Sequence, residues 1–281
     1  MRSQPRTFVI VGLGLLGGSL GRALKQIFPK AAVIGVSRSR SKIRLAKRKG
    51  FITQGTTKLS EAVKSCDCVF ICTPVDTIPT FISQIDWFAK SGTVVTDVGS
   101  TKEKLIHWVE KKKFKNIYFV GSHPMAGSHL TGLQHAKGDL YRSSFTFVTT
   151  HREIHGPALR FVVKLWQKLC RRVVVIKAKE HDSIVAEISH LPHLISALLI
   201  DLVSRRAAPF ASTGFRDTTR VAQGDPNLWV PIFAANRKNL IRLLNRFRSA
   251  LREMKNDLRE SNLTSLRRLL KKSAEKRKKI S

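Results

Sequence analysis

Negative charge is what this sequence has least of. Nineteen Asp and Glu face 51 Lys and Arg, for a formal charge of +32 in 281 residues. Such a surface attracts polyanions, and it suits equally an enzyme whose cofactor and substrate are both anionic. The basic residues are spread along the chain and are dense only at its C-terminal end. Aromatics make up 7%, and no base-stacking motif of the RNA-binding kind is present. Nucleic acid is therefore not the expected partner. Cysteine is scarce as well. Cys66, Cys68, Cys72 and Cys170 contain no C-x-x-C pair, which excludes a zinc framework or a disulfide scaffold and reads as reduced core residues of a cytoplasmic protein. No apolar stretch reads as long enough to span a bilayer, so no membrane is expected. Arg2 and Arg6 precede an apolar run and imitate an export signal, but the run is broken by glycines and continues as an amphipathic helix, so export is not expected. Internal repeats and low-complexity linkers are missing too.

What is present is organised around Phe8-Val9-Ile10-Val11-Gly12-Leu13-Gly14-Leu15-Leu16-Gly17-Gly18-Ser19-Leu20. An apolar, β-branched run predicts a buried strand. It breaks into glycines and resumes as Leu20, Ala23, Leu24 and Ile27 at helical spacing. Strand, Gly-rich turn and helix is the context in which G-x-G-x-x-G signals a dinucleotide site. Gly12 would allow the tight turn, Gly14 the approach of a pyrophosphate, and Gly17 close packing of helix on strand. The helix N-terminus would face the phosphates. A P-loop is excluded, because Gly18 precedes Ser19 where its lysine belongs.

Residues 32–36 predict the second strand. An NAD site places an acid near its end; here the chain reads Ser37-Arg38-Ser39-Arg40-Ser41. Arg38 and its flanking hydroxyls suit a 2′-phosphate, so NADP is expected rather than NAD. Further strands are predicted over 67–72, ended by Thr73-Pro74, and over 93–98, 116–120, 145–149 and 173–176. Helices are predicted over 41–50, 60–65 and 157–169. Ser100 and Glu103 form a capping-box pattern, and Ser100 also lies at the strand end where open α/β sheets bind ligands. His123 follows the 116–120 strand and is held extended by Pro124. It is the best acid–base candidate, with a pKa near 6 to 7 expected, although a lone loop histidine is ordinarily structural.

From Ala178 onward the pattern is helical, which places the domain boundary near Lys177. The fold class is thus α/β: a Rossmann-type dinucleotide-binding domain (1–177) followed by an all-α domain (178–281). A long apolar helix over 180–206 should kink at Pro192. His190 and His193 share its face, either as pocket residues or as hydrogen-bonded core histidines. Residues 212–220 read as a polar loop. Asp225 and Pro226 read as N-cap and first residue of a helix carrying Trp229. Residues 236–258 read as a basic amphipathic helix, and residues 267–279 as a frayed basic tail.

Taken together, Asp97-Val98-Gly99-Ser100-Thr101-Lys102, His123-Pro124-Met125-Ala126-Gly127, Ser189-His190-Leu191-Pro192-His193, Gly214-Phe215-Arg216-Asp217-Thr218-Thr219-Arg220, Asp225-Pro226 and Trp229 make the chain resemble the prephenate/arogenate dehydrogenases of tyrosine biosynthesis. The resemblance runs from about Phe8 to Asn262. It implies an oxidative decarboxylation of prephenate or arogenate. His123 would be the base, and Ser100 would bind the reacting hydroxyl or orient His123. Arg220 would pair with a substrate carboxylate. His193, His190, Thr213 and Trp229 would form the substrate pocket. Gly12, Gly14, Leu15, Leu16, Gly17, Ser37, Arg38, Ser39, Thr73 and Pro74 would hold NADP, with no metal. It also implies a homodimer through the helical domain. The length leaves no room for a mutase or regulatory domain, so feedback control through one is not expected. Two other classes remain compatible with the residues: a hydroxy-acid dehydrogenase of similar architecture, which would usually carry a lysine on the helical domain, and a basic, nucleic-acid-binding Rossmann protein.

Overall fold

The computed structural model describes residues 5–127 and 130–280; Arg2 of the signal-like start lies outside them. Packing divides the chain into two compact units, Met1–Asn236 and Arg237–Ser281.

The first unit begins with alternating strands and helices: β1 (Thr7–Val11), α1 (Leu15–Ile27), β2 (Ala32–Val36), α2 (Arg40–Arg48), β3 (Gln54–Thr56), α3 (Leu59–Val63), β4 (Cys68–Ile71), α4 (Ile78–Phe88), β5 (Thr93–Asp97), α5 (Glu103–Glu110) and β6 (Ile117–Val120). The six strands pair in parallel in the order β3-β2-β1-β4-β5-β6. Both faces of this sheet are covered. Phe8 and Ile10 of β1 join one buried cluster with Leu20, Leu24, Phe70, Val94 and Trp166. Val9 and Val11 join another with Val69, Ile71, Ile82, Ile85, Val95 and Ile106. This is why β1 is uniformly apolar rather than alternating. The chain order reverses between β1 and β4, so the ligand crevice of such a sheet opens above their carboxyl ends.

A second sheet has the order β7-β8-β9, from β7 (Ser122–Pro124), β8 (Phe145–Thr150) and, after α6 (Gly156–Leu169), β9 (Arg172–Lys177). β7 is antiparallel to β8, pairing His123 with Phe147, and β8 is parallel to β9. His123 therefore sits in a strand, not a loop. The wholly buried Trp166 of α6 donates from Nε1 to Ser122 Oγ at 2.9 Å, beneath the histidine.

Helices follow: α7 (Ala178–Val185), α8 (Leu191–Asp201), α9 (Thr213–Thr219) and α10 (Pro226–Ala235). The expected single kinked helix over 180–206 is instead α7 and α8 joined by a π-turn at Ala186–His190, with Pro192 in the first turn of α8. A wider turn accommodates the residue that cannot donate a hydrogen bond. Residues 212–220, expected as a polar loop, form α9 and lead into a 3-10 turn at Arg220–Gln223. The run Ala178–Asp201 is, by length and composition, apolar enough to cross a membrane, with mean hydropathy 1.5, which corrects the expectation that no such stretch exists. It nonetheless buries His181, Asp182, His190 and His193, polar groups that it hydrogen-bonds or stacks within the first unit. The Asp225 N-cap is as expected, its carboxylate accepting from Asn227 N at 2.9 Å.

The second unit consists of α11 (Arg237–Arg259) and α12 (Leu263–Lys278). The residues expected to fray are helical to Lys278, with Asn262 capping α12 through Ser265 N.

Candidate active site

The first part of the site is a cavity of about 430 Å³ lined by Gly12, Leu13, Gly14, Val36, Ser37, Arg38, Ser39, Lys42, Cys72, Thr73 and Pro74. It lies at the carboxyl ends of β1, β2 and β4, the predicted crevice. Gly12 has φ +99°, and a Cβ there would stand 2.6 Å from the Cys72 carbonyl oxygen. A Cβ on Gly17 would collide with the Gly12 carbonyl, whereas one on Gly14 would meet nothing within 4 Å. The turn is thus closed on its protein side and open where a pyrophosphate would approach. Leu15, Leu16 and Gly17 form the first turn of α1 and do not line the cavity; the Leu16 carbonyl accepts from Tyr141 Oη at 2.8 Å. At the other end Ser37 Oγ accepts from Ser39 N at 3.2 Å, and Ser39 Oγ caps α2 by accepting from Lys42 N at 3.3 Å. The wall presents Arg38 and Lys42 and no carboxylate. Lys42 did not emerge from the sequence because it lies past the strand end, one helical turn on. Cys72 shares this wall, and burial pushes its thiol pKa well up, so it is an inert thiol. All four cysteines are free.

The second part is a buried polar cluster. His123 Nδ1 lies 2.9 Å from His181 Nε2, and His181 Nδ1 lies 2.7 Å from Asp182 Oδ1. The carboxylate can only accept, so His181 Nδ1 donates to it. His181 Nε2 is then an acceptor, and His123 Nδ1 donates to it. The remaining lone pair of His123 falls on Nε2. Asp182 also accepts from the backbone N–H groups of Lys102 (2.8 Å) and Glu103 (3.0 Å). It therefore does the capping expected of Ser100. That expectation is corrected: the N-cap of α5 is Lys102, and a charged acceptor from α7 serves the free N–H groups where a hydroxyl was anticipated. Ser100, half-buried, stands just before this cap.

Burial, aided by His181 and Lys102, pushes the His123 pKa well below the ordinary histidine value, and burial lowers that of His181 too. The expectation of a value near 6 to 7 is corrected accordingly: it assumed a loop histidine in contact with water.

His190 and His193 turn out to differ. His190 is buried, its Nδ1 is 3.1 Å from Asn236 Nδ2, and burial draws its pKa to about 4. His193 stacks on Trp229 with ring centroids 3.7 Å apart, and its buried Nδ1 has no hydrogen-bond partner. Trp229 also meets His190 edge-on at 6.1 Å. A Cβ on Gly224 would strike His193 and Trp229, so the residue before the Asp225 cap is what lets these rings stack. Thr213 and Arg220 lie exposed at either end of the α9 segment. That segment is tied to α8 by Ser196 Oγ donating to the Thr218 carbonyl at 2.9 Å.

His181, Asp182 and Asn236 were not legible in the sequence, since they lie 58 or more residues from His123. Asp97 and Asp182 are the two buried carboxylates among the described residues, and each lies in this cluster; the sequence carries no signal of that burial.

A glycine-turn cavity above a parallel sheet, with a buried His123–His181–Asp182 chain beyond its carboxyl edge, is the arrangement of a dinucleotide-dependent oxidoreductase. The prephenate dehydrogenase nucleotide-binding domain matches residues 20–175, and the prephenate dehydrogenase dimerization domain matches residues 177–272. The chain belongs to the prephenate dehydrogenase family. It is 32% identical to the prephenate dehydrogenase of Bacillus subtilis over 264 residues, covering 90% of this chain and 70% of that one. Its fold is similar to that of a crystal structure of prephenate dehydrogenase from A. aeolicus in complex with hydroxyphenyl propionate and NAD+ (TM-score 0.92, 28% identity, 100% of both chains). It is also similar to Synechocystis arogenate dehydrogenase (TM-score 0.83, 28% identity, 98% of this chain and 100% of that one).

Proposed function

We propose that the chain oxidatively decarboxylates prephenate or arogenate, with His123 as general base and NADP as the preferred cofactor. A nicotinamide, when bound, supplies the hydride acceptor. His123 Nε2, the lone pair left open by the His181–Asp182 chain, takes the hydroxyl proton as hydride leaves the same ring carbon. Carbon dioxide departs from the opposite carbon and leaves its electron pair in the ring, which becomes aromatic; the proton returns to the phenolic oxygen. Ser100 holds the hydroxyl, Arg220 pairs with a substrate carboxylate through its planar fork, and His193, His190, Thr213 and Trp229 shape the pocket. The functional boundary falls near Lys177, and the helical part makes a homodimer, for which the exposed Leu198, Ile200 and Leu202 of α8 and its flank offer an apolar surface. The observation favouring NADP is the cavity wall of Ser37, Arg38, Ser39 and Lys42, where two cations face the cofactor space and no acid does.

His123→Asn keeps the size and one hydrogen bond but not the basicity. It should lower kcat roughly a hundred- to ten-thousand-fold with a modest change in KM. Because a histidine base works only when neutral and this pKa is lowered, wild-type kcat should hold below pH 6.5 and fall only in a more acidic limb. That limb should vanish in the variant. If His123→Asn keeps it, another group carries the proton.

A further inference from the structure

Lys102 is a fully buried lysine that the mechanism above does not use. Its ammonium donates to Asp97 Oδ2 (2.5 Å), the Gly99 carbonyl (2.7 Å) and the Thr101 carbonyl (3.2 Å), which occupies all three donors. Asp97 is fully buried as well. It accepts from Gly99 N at 2.8 Å and, through Oδ1, from Ser122 N at 3.1 Å, while its backbone carbonyl accepts from Ser122 Oγ at 2.5 Å. The pair therefore closes the turn that carries Ser100 and fixes the residue before His123. The backbone of Lys102 is in turn held by Asp182, the carboxylate that orients His181. The linked pair thus joins three segments: the Lys102 ammonium closes the β5–α5 turn, its backbone N–H meets α7, and Asp97 carries the bond to the start of β7. Its stem runs under the β6–β7 junction, where a Cβ on Gly121 would stand 3.2 Å from Lys102 Cδ.

A buried ion pair of this kind is poor evidence of a stability gain, since apolar residues of the same volume do as well or better. Its position suggests another use. We propose that Lys102 is a positioning residue for the reaction: its buried ammonium, through Asp97, holds the Ser100 turn against the His123 strand and stands as a fixed cation behind the His123–His181 pair. The inference rests on His123 being the base. Among the described residues, the charged and titratable groups around His123 are Lys102 and Asp97 from the β5–α5 turn, His181 and Asp182 from α7, and His190 from the π-turn. Of these, the Lys102 ammonium is fixed in position by three hydrogen bonds, whereas Asp182 acts on His123 through His181.

The test is the pH dependence of kcat in the full-length enzyme with its cofactor. Lys102→Met removes the cation, protonation of the histidine pair becomes easier, and the acidic limb should move up by about one pH unit. Because Lys102→Met leaves the Asp97 anion unpaired and is prone to misfold, Lys102→Met/Asp97→Asn is measured beside it. With no buried charge uncompensated, its limb should still rise, by less. A lysine with a purely structural role would lower kcat or Tm and leave the limb in place, and that outcome in both variants overturns the proposal. Failure of the base assignment is distinguishable, because there the limb would persist in His123→Asn.

Discussion

The two halves of the candidate site are built by opposite means. The cofactor cavity is made of backbone and short polar side chains at three strand ends, and Arg38, Lys42 and Pro74 in its wall are exposed. The His123 cluster is made of side chains with almost no exposure, linked by hydrogen bonds from β7, α7 and the β5–α5 turn. The first half can be altered one residue at a time. In the second each group satisfies another, so removing one strands its neighbours.

The sharpest break in that comparison is Asp182→Ala. It leaves the N–H groups of His181, Lys102 and Glu103 without their acceptor. Unfolding free energy should fall by roughly 2–5 kcal/mol, read by denaturant titration, and kcat should drop at least tenfold because the His123 tautomer is no longer set. A loss confined to stability, with kcat intact, would separate the cap from the relay. A smaller effect is expected of Arg220→Ala. Arg220 is exposed, so Tm should hardly move, while KM for prephenate or arogenate should rise about ten- to a hundredfold with cofactor affinity unchanged. Weaker cofactor binding at unchanged KM would put Arg220 in the other half. Smallest for the fold is Arg38→Asp, for which stability should change by less than about 0.5 kcal/mol. The ratio of kcat/KM values for NADP and NAD should nevertheless shift roughly ten- to a hundredfold toward NAD. Wild-type use of NAD at equal or better efficiency would overturn the NADP reading.

The legibility of the two halves follows the same division. Gly12, Gly14, Gly17 and the Ser37–Ser39 run are local patterns: each acts within one strand–turn–helix unit, so spacing alone carries the information. The Asp225 cap is local in the same way. Ser100 as a helix cap is where a local rule misled, because the capping box competes with a carboxylate that the sequence does not place nearby. The polar residues 212–220 were misread for a related reason: their helix is anchored by Ser196, on another element.

By itself, then, the sequence determined the alternating strand–helix order, the glycine turn, the Ser37–Ser39 part of the cavity wall and the change to helices after Lys177, since these depend on periodicity and on residue geometry within a few positions. Only the tertiary structure decided that His123 is buried and its pKa lowered, that His181 and Asp182 stand behind it, that Lys102 and Asp97 bind its strand to the Ser100 turn, and that Gly224 lets His193 lie on Trp229. Those facts depend on which distant groups share a space without water, where burial lowers a histidine's affinity for protons and every hydrogen bond needs a partner from another part of the chain.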